Sequence, residues 1–213
     1  IEKCTVVNNK LLINQIPAKG ENIRQVGEQI KSGQVAMVHG TVINPAGIGY
    51  LSSLGVTSVK VYKKPSVGII ITGNELVTPG DILTQGNVYE SNGAMLRSAL
   101  YGLTSEISTY RISDDKEVTT ETIREAINIH DVVLISGGIS VGDYDFVYNS
   151  LLANEVDVLF YKVMQKPGKP LLSAKKGDVL IFALPGNPAA SLTCFYIYAL
   201  PQLKRIIGHN AAV

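Results

Sequence analysis

The segment from 131 to 154 constrains the fold of this chain most strongly. An apolar run at 131–135 leads directly into a glycine-rich stretch, Ser-Gly-Gly-Ile-Ser-Val-Gly-Asp-Tyr-Asp at 136–145, and a helical pattern follows at 146–154. An apolar run bounded by a charge and by glycines is typical of a buried parallel strand. A strand, a glycine-rich turn and a helix bring backbone N–H groups and a positive helix end to the carboxyl edge of a sheet, where α/β proteins bind anions.

Two carboxylates, Asp143 and Asp145, close the same loop. A loop built only for anions would not carry them. The combination therefore indicates a phosphate-bearing ligand that is handled together with a divalent cation.

Composition excludes several classes of protein. The chain has 213 residues, 46% of them hydrophobic and 17% charged, as expected for one large globular domain or one domain with a smaller unit. A net charge of +1 without long Lys/Arg runs argues against a nucleic-acid partner, and strand-length apolar stretches argue against a membrane span. Cys4 and Cys194 lack metal-ligand spacing. The sequence begins with Ile1 rather than Met and shows no charged stretch followed by an apolar segment, so we expect an excised fragment of a cytoplasmic protein.

Strands and helices alternate from residue 66 onward. Apolar runs predict strands at 67–71, 106–110, 132–135, 158–163 and 179–184, with helices at 93–101, 118–128, 146–154 and 189–206. Such alternation predicts an α/β fold, a three-layer α/β/α domain with a mostly parallel sheet over 67–208, followed by a tail at 209–213.

Residues 1–66 predict a smaller α+β unit. Strand material at 4–16 contains a turn at 8–10, and one or two helical turns are expected between Gly20 and Gly27. Asn44 and Pro45 are a favourable helix start for 46–54, a strand is expected at 59–62, and the boundary of the unit falls at 63–65.

The turns after five predicted strands carry unusual polar residues. Because the carboxyl ends of parallel strands share one edge of a sheet, these turns should converge. We therefore expect the carboxylates of Glu75, Asp114 and Asp145 to lie near three lysines, which come at and after the end of the strand predicted at 158–163. These are Lys162, Lys166 and Lys169. Carboxylates that hold a hard cation, together with lysines that hold phosphate, are typical of phosphoryl chemistry.

Each turn alone also fits a structural role. Gly137-Gly138 can be a tight turn, Asp114 and Asp115 can cap the next helix, 166–170 can be a stiff hairpin, and 185–188 can be a turn that starts a helix. Five such turns at one edge of the sheet favour a ligand site over five turns with structural roles alone.

At this point six ordered motifs carry a resemblance over essentially the whole chain. They are Gly-Glu-Asn-Ile-Arg (20–24), Thr-Gly-Asn-Glu-Leu (72–76), Glu-Ser-Asn (90–92), Gly-Gly-Ile-Ser-Val-Gly-Asp-Tyr-Asp (137–145), Lys-Pro-Gly-Lys-Pro (166–170) and Leu-Pro-Gly-Asn-Pro (184–188). Together they resemble the molybdopterin molybdenumtransferase family, to which bacterial MoeA and the gephyrin E domain belong.

The resemblance implies an enzyme that inserts molybdate into adenylylated molybdopterin with Mg²⁺ and releases AMP. It implies metal-binding and catalytic roles for Glu75, Asp114 and Asp145, and ligand or molybdate contacts for Lys162 and Lys166. It further implies a homodimer through residues 1–66. The remaining cofactor-binding residues that it implies are Arg24, Gly73, Gly137, Gly138, Ser140, Gly142, Gly168, Lys169, Pro185, Gly186 and Asn187.

The chain departs from the family pattern at a few positions. Asn74 stands where the family has Asp, and Gly27-Glu28-Gln29 stands where it has Gly-Glu-Asp. The family also has an inserted domain and a C-terminal β-barrel that this sequence does not contain. Two alternatives are a molybdopterin adenylyltransferase, which normally has a Gly-Gly-Thr-Gly loop, and a non-enzymatic scaffold.

Overall fold

The computed structural model describes residues 3–139 and 146–209. The chain divides into two compact units, Ile1–Ser58 and Val59–Val213. The first unit contains an antiparallel hairpin of β1 (Cys4–Val7) and β2 (Lys10–Ile13), and helix α1 (Pro45–Ser53). Asn8 and Asn9 both have positive φ, as a tight two-residue hairpin turn requires. Asn44 caps α1, since its Oδ1 accepts a hydrogen bond from Gly47 N at 2.8 Å, which confirms the predicted hairpin and helix start.

The helical turns predicted between Gly20 and Gly27 are wrong. Instead, five β-turns lie at 18–21, 20–23, 25–28, 31–34 and 38–41, each closed by a backbone hydrogen bond from its fourth residue to its first. The third residue is a glycine in four of them, with a φ of 77° at Gly27 and of 83° to 86° in the others, and it is Asn22 with a φ of 63° in the turn at 20–23. Because a positive φ at the third position is what a type II turn needs, glycine spacing selects turns over a helix here.

The second unit contains a six-stranded sheet with helices on both faces. Its elements are β3 (Ser66–Thr72), β4 (Leu76–Val77), β5 (Val88–Tyr89), α2 (Asn92–Ala99), β6 (Glu106–Ile112), α3 (Lys116–Ile129), β7 (Val132–Ser136), α4 (Phe146–Ala153), β8 (Asp157–Tyr161), β9 (Leu172–Lys176), β10 (Val179–Leu184), α5 (Pro188–Cys194), a π-helical turn (Phe195–Ala199) and α6 (Leu200–Ile206). The strand order is β6-β3-β7-β10-β9-β8. The first four strands of this order are parallel, and β9 is antiparallel to both of its neighbours.

Alternate residues of the central strands fill two cores, one on each face of the sheet. Ile69 and Leu134 pack in the core that contains residues of α2, α5 and α6. Ile70 and Val133 pack in the opposite core, with residues of α3 and α4. This period-two division of a continuous apolar run confirms the predicted three-layer α/β/α fold with a mostly parallel sheet.

Two local predictions differ from the structure. The strand predicted at 59–62 is wrong, since these residues pair with no strand in the described part of the chain. Strand β9 was not predicted, nor was the short parallel ladder of β4 and β5. The final helix is confirmed, with a π-helical turn before Pro201, which has no N–H to continue the α-helical hydrogen bonding. No helix within 3–139 and 146–209 has both the length and the apolar character to cross a membrane.

Candidate functional site

A cavity of about 370 Å³ lies at the carboxyl edge of the parallel strands. Its walls include Thr72 at the end of β3, Ser136 at the end of β7 and Gly186 in the turn after β10. From β3 the chain continues to β6 on one side and then to β7 on the other side, so the strand order reverses between the neighbouring strands β3 and β7. Crevices at such reversal points are where open α/β sheets bind ligands.

Many residues singled out from the sequence line this cavity. The predicted site residues on its walls are Gly73, Glu75, Asp114, Gly137, Gly138 and Gly186. The turns after β3, β6, β7 and β10 therefore meet as predicted. The residues predicted from the same edge that do not line it are Lys162, Lys166, Gly168, Lys169, Pro185 and Asn187.

The remaining predicted residues cannot be located at this cavity. Ser140, Gly142 and Asp145 lie outside the described residues. Arg24 belongs to the first unit, in the segment of successive glycine turns.

Asp114 is held by the turn that follows β3. Its Oδ1 accepts a hydrogen bond from Thr72 Oγ1, and its Oδ2 accepts one from Asn74 N at 3.1 Å. Asn74 Oδ1 in turn accepts a hydrogen bond from Asp114 N at 3.1 Å. An Asp at position 74 would also offer that acceptor, so Asn74 keeps the link between the two turns while removing one negative charge beside Glu75.

Gly137 is required by close packing. Its φ is +92°, and a Cβ on it would lie 2.3 Å from Thr72 O. No L side chain fits there, because the two strand ends touch through their backbones. The Gly-Gly turn therefore brings the ends of β3 and β7 together, which is the tight-turn role left open from the sequence.

Asn92 and Glu90 are cavity residues that sequence reasoning did not assign, although the Glu-Ser-Asn motif at 90–92 marked them. Glu90 Oε1 accepts a hydrogen bond from Gly93 N at 2.7 Å in the first turn of α2. Asn92 Nδ2 donates to Ser136 Oγ and to Gly186 O, both at 2.8 Å. Because a carbonyl can only accept, the bond to Gly186 fixes the amide orientation and leaves Asn92 Oδ1, buried and without a described partner, as a free acceptor.

Three lysines lie on a separate part of the same edge. Lys162, Lys166 and Lys169 are exposed on the loop between β8 and β9. Strand β8 runs parallel to β10, so the predicted edge is correct, but β9 lies between these two strands and displaces the loop sideways from the cavity. Among the described residues, none of the three lysines forms an ion pair with a carboxylate.

The described residues supply part of the predicted metal ligands. Glu75 and Asp114 line the cavity and offer the carboxylate oxygens that Mg²⁺ prefers. Within 3–139 and 146–209, no group of three or more His, Cys, Asp or Glu side chains is arranged to hold a metal ion.

Comparison with known families places the motifs in context. Residues 68–205 match the family described as "Probable molybdopterin binding domain", and residues 1–55 match the "MoeA N-terminal region (domain I and II)". The molybdopterin molybdenumtransferase of Staphylococcus aureus (strain Mu50) is 38% identical over 192 residues, which are 90% of this chain and 46% of that protein. The enzyme of the same name from Staphylococcus epidermidis (strain ATCC 12228) is 35% identical over the same shares. The chain thus spans about half the length of the curated relatives it matches.

Solved structures give the same picture. The molybdopterin biosynthesis MoeA protein from Pyrococcus horikoshii aligns with a TM-score of 0.79 and 32% identity, over 99% of this chain and 52% of that one. A molybdenum cofactor biosynthesis protein from Pyrococcus furiosus aligns with a TM-score of 0.64 and 26% identity, over 87% of this chain and 56% of that one.

Proposed function

The chain belongs to the molybdopterin molybdenumtransferase (MoeA) family, and we propose that it takes part in molybdenum cofactor biosynthesis by inserting molybdate into adenylylated molybdopterin with release of AMP. The observation that carries the proposal is the cavity at the point where the strand order reverses. Its walls contain residues from five segments that the sequence analysis singled out, at 72–76, 90–92, 113–115, 137–139 and 184–188. Its volume of about 370 Å³ is within the range of small-molecule sites, roughly 300–1,000 Å³.

The chemistry of the cavity walls supports a division of roles. Carboxylates and a free amide oxygen make the cavity rich in acceptors, so it suits the hydrogen-bond donors of an organic ligand and a cation better than a bare anion. Lysines that form no ion pair with any described carboxylate make the β8–β9 loop suited to an oxyanion, either molybdate or a phosphate. Lys162, Lys166 and Lys169 would neutralise that anion, while Glu75, Asp114 and Asp145 would hold Mg²⁺.

Mg²⁺, when bound, would offset negative charge on the pyrophosphate oxygens. Asp114 would be presented to it in a fixed orientation, since Thr72 and Asn74 already donate to its two oxygens. A carboxylate retains further lone pairs for a cation after accepting two hydrogen bonds. The role of the residues around it is therefore to orient the ligand and to hold the carboxylates in place.

The proposal extends to the whole molecule. Residues 67–208 would form the molybdopterin-binding domain, and 1–66 would form part of a dimerisation domain in a cytoplasmic homodimer. Support for the second point comes from the first unit, in which no residue from 3 to 58 is buried.

The proposed function is tested by Asp145→Asn and Lys166→Ala in a chain extended to the length of its relatives, with Asp178→Asn in the exposed β9–β10 turn as the control. We expect Asp145→Asn to abolish most Mg²⁺-dependent molybdate insertion with little change in the affinity for molybdopterin, because the contacts to the anion remain. Lys166→Ala should weaken ligand binding itself, since it removes a local positive charge. Intact Mg²⁺-dependent insertion in Asp145→Asn would refute the assigned mechanism.

A further inference from the structure

The loop that carries the three lysines is closed by its own backbone. Lys162 N donates to Leu171 O at 2.8 Å, and Val163 N donates to Lys169 O at 3.0 Å. Gly168, near the tip, is buried with a φ of +100°. The side chains of Lys166 and Lys169 are exposed, so their positions depend on how this loop backbone is held.

Gln165 ties the tip of the loop to the C-terminal helical run. Its Nε2 donates to Pro167 O at 2.9 Å and lies 3.4 Å from Cys194 Sγ. Its Oε1 accepts a hydrogen bond from Tyr198 Oη at 2.7 Å. One amide side chain thus joins the residue after Lys166 to two residues of the helical run, and both of its polar groups are used.

The helical run is shaped to meet this loop. Cys194 ends α5, and Tyr198 lies in the π-helical turn, where the wider backbone changes the direction of successive side chains. The Tyr198 ring also packs against Phe160 of β8, with 5.8 Å between ring centroids. A Cβ at Gly168 would lie 2.4 Å from Cys194 Sγ, so the loop backbone is pressed directly onto the end of α5.

Cys194 takes part in this packing as an inert group. Burial raises the pKa of its thiol, and the hydrogen bond from Gln165 opposes that rise only in part. The thiol therefore stays protonated near neutral pH.

We infer that Tyr198 and Gln165 are positioning residues that preorganise the loop so that Lys166 and Lys169 receive a tetrahedral oxyanion, either molybdate or the phosphate of a nucleotide. This inference rests on the proposed function, because it assumes that the lysines bind such an anion. Exposed lysines on a free loop would lose entropy when they order around a ligand. The Tyr198–Gln165–Pro167 chain of hydrogen bonds removes part of that loss before binding.

The test is a double-mutant cycle on the 213-residue chain, with sodium molybdate and AMP titrated separately by calorimetry at low salt. Tyr198→Phe keeps the ring against Phe160 and removes only the hydroxyl that donates to Gln165. We expect it to weaken oxyanion binding by about 3- to 10-fold, the range for losing one ordinary hydrogen bond. Tyr196→Phe, in the same π-helical turn but with an exposed ring, is the matched control and should change the affinity less than about two-fold.

The cycle separates positioning from a general loss of stability. In the Lys166→Ala background, Tyr198→Phe should have little further effect on oxyanion binding, because Tyr198 acts through the loop that presents Lys166. Hydrogen exchange at Val163 N, which donates to Lys169 O, should become faster in Tyr198→Phe and not in Tyr196→Phe. The oxyanion that the loop binds is the one whose affinity falls in Tyr198→Phe but changes little further when Tyr198→Phe is combined with Lys166→Ala.

The outcomes distinguish the inference from the proposed function. If Lys166→Ala weakens binding but Tyr198→Phe leaves it unchanged, or lowers it equally in both backgrounds, the positioning role is refuted and the proposed function stands. If neither molybdate nor AMP binds the unmodified chain, the proposed anion-binding role fails, and the inference fails with it.

Discussion

The two units of the chain are stabilised in different ways. From 3 to 58 no residue is buried, and the backbone is held by a hairpin, a capped helix and four glycine turns. In the second unit, two apolar cores enclose the central strands, and residues such as Ile69, Leu134 and Ile181 have no exposed surface. Because burial of apolar surface supplies most of the free energy of folding, we expect the second unit to contribute most of the stability, and the first to depend on a partner surface that covers its apolar residues.

Association of two chains is the largest effect that this comparison predicts. Leu11 and Leu12 of β2 are more than half exposed. A homodimer that covers them should have a free energy of association of about −6 kcal/mol or stronger, so that it persists at tens of micromolar chain. Leu11→Asp should then give monomers in light scattering, while Leu152→Asp on α4, also exposed, should leave the dimer intact. A monomeric unmodified chain at that concentration would remove the dimer from the account.

The next largest effect is a difference in the free energy of unfolding that is lost when an apolar side chain is truncated in one unit or in the other. Leu134→Ala should lower the free energy of unfolding by about 2–5 kcal/mol, because it opens a cavity in a fully buried core. The same substitution at Leu11, 63% exposed, should cost the isolated chain less than about 1 kcal/mol. Urea denaturation measures both, below the concentration at which chains associate. Equal losses would mean that the first unit has a core of its own.

Glycine substitutions give a smaller contrast. Gly137→Ala must move Thr72 O away from a Cβ only 2.3 Å distant, so we expect a loss of about 2–4 kcal/mol in unfolding free energy. Gly33→Ala, in one of the turns of the first unit, has a positive φ of +84° but open space around the new Cβ, so it should cost only about 1 kcal/mol of backbone strain. Thermal unfolding of both variants decides the matter, and a neutral Gly137→Ala would contradict the close approach of the β3 and β7 ends.

These contrasts show which features a sequence can reveal. The hairpin turn at Asn8-Asn9 and the cap at Asn44 were predicted because each depends on neighbouring residues alone. The central strands were predicted because a strand buried on both faces is a continuous apolar run. By contrast, Val59–Tyr62 has strand-like residues but no partner among the described strands, since pairing is decided by the rest of the fold.

The site shows the same limit. The sequence predicted that five turns would share one edge, and four of them meet at the cavity. The lateral order of strands is a tertiary property, so the sequence could not show that β9 lies between β10 and β8. The displacement of the lysines from the cavity follows from that order and could not be predicted either. Asn92 was missed because its two hydrogen bonds join residues 44 and 94 positions away.

The smallest expected effect is a pH dependence located in the second unit. The pKa of Asp131 is lowered mainly by the hydrogen bond from Ser66 N, with further help from Ser66 Oγ and Lys63 and against the effect of burial. A carboxyl whose pKa is lower in the folded than in the unfolded chain stabilises the fold above its unfolded pKa, about 3.9, and this contribution disappears as the pH falls through the folded value. Asp131→Asn should therefore be less stable than the unmodified chain at pH 7 by an amount that shrinks below pH 4. A difference that stays constant from pH 7 to pH 2.5 would contradict the shift.

The central claim is that the ligand binds at the carboxyl edge of the six-stranded sheet in the second unit. Its most direct test is a titration of the isotope-labelled chain with molybdopterin, and separately with AMP, followed by amide NMR. We predict that the largest shifts occur at Gly73, Gly137, Gly138 and Gly186, which line the cavity, and that the hairpin amides of β1 and β2 move least. Largest shifts in the hairpin, with the four glycine amides unchanged at saturation, would contradict the account.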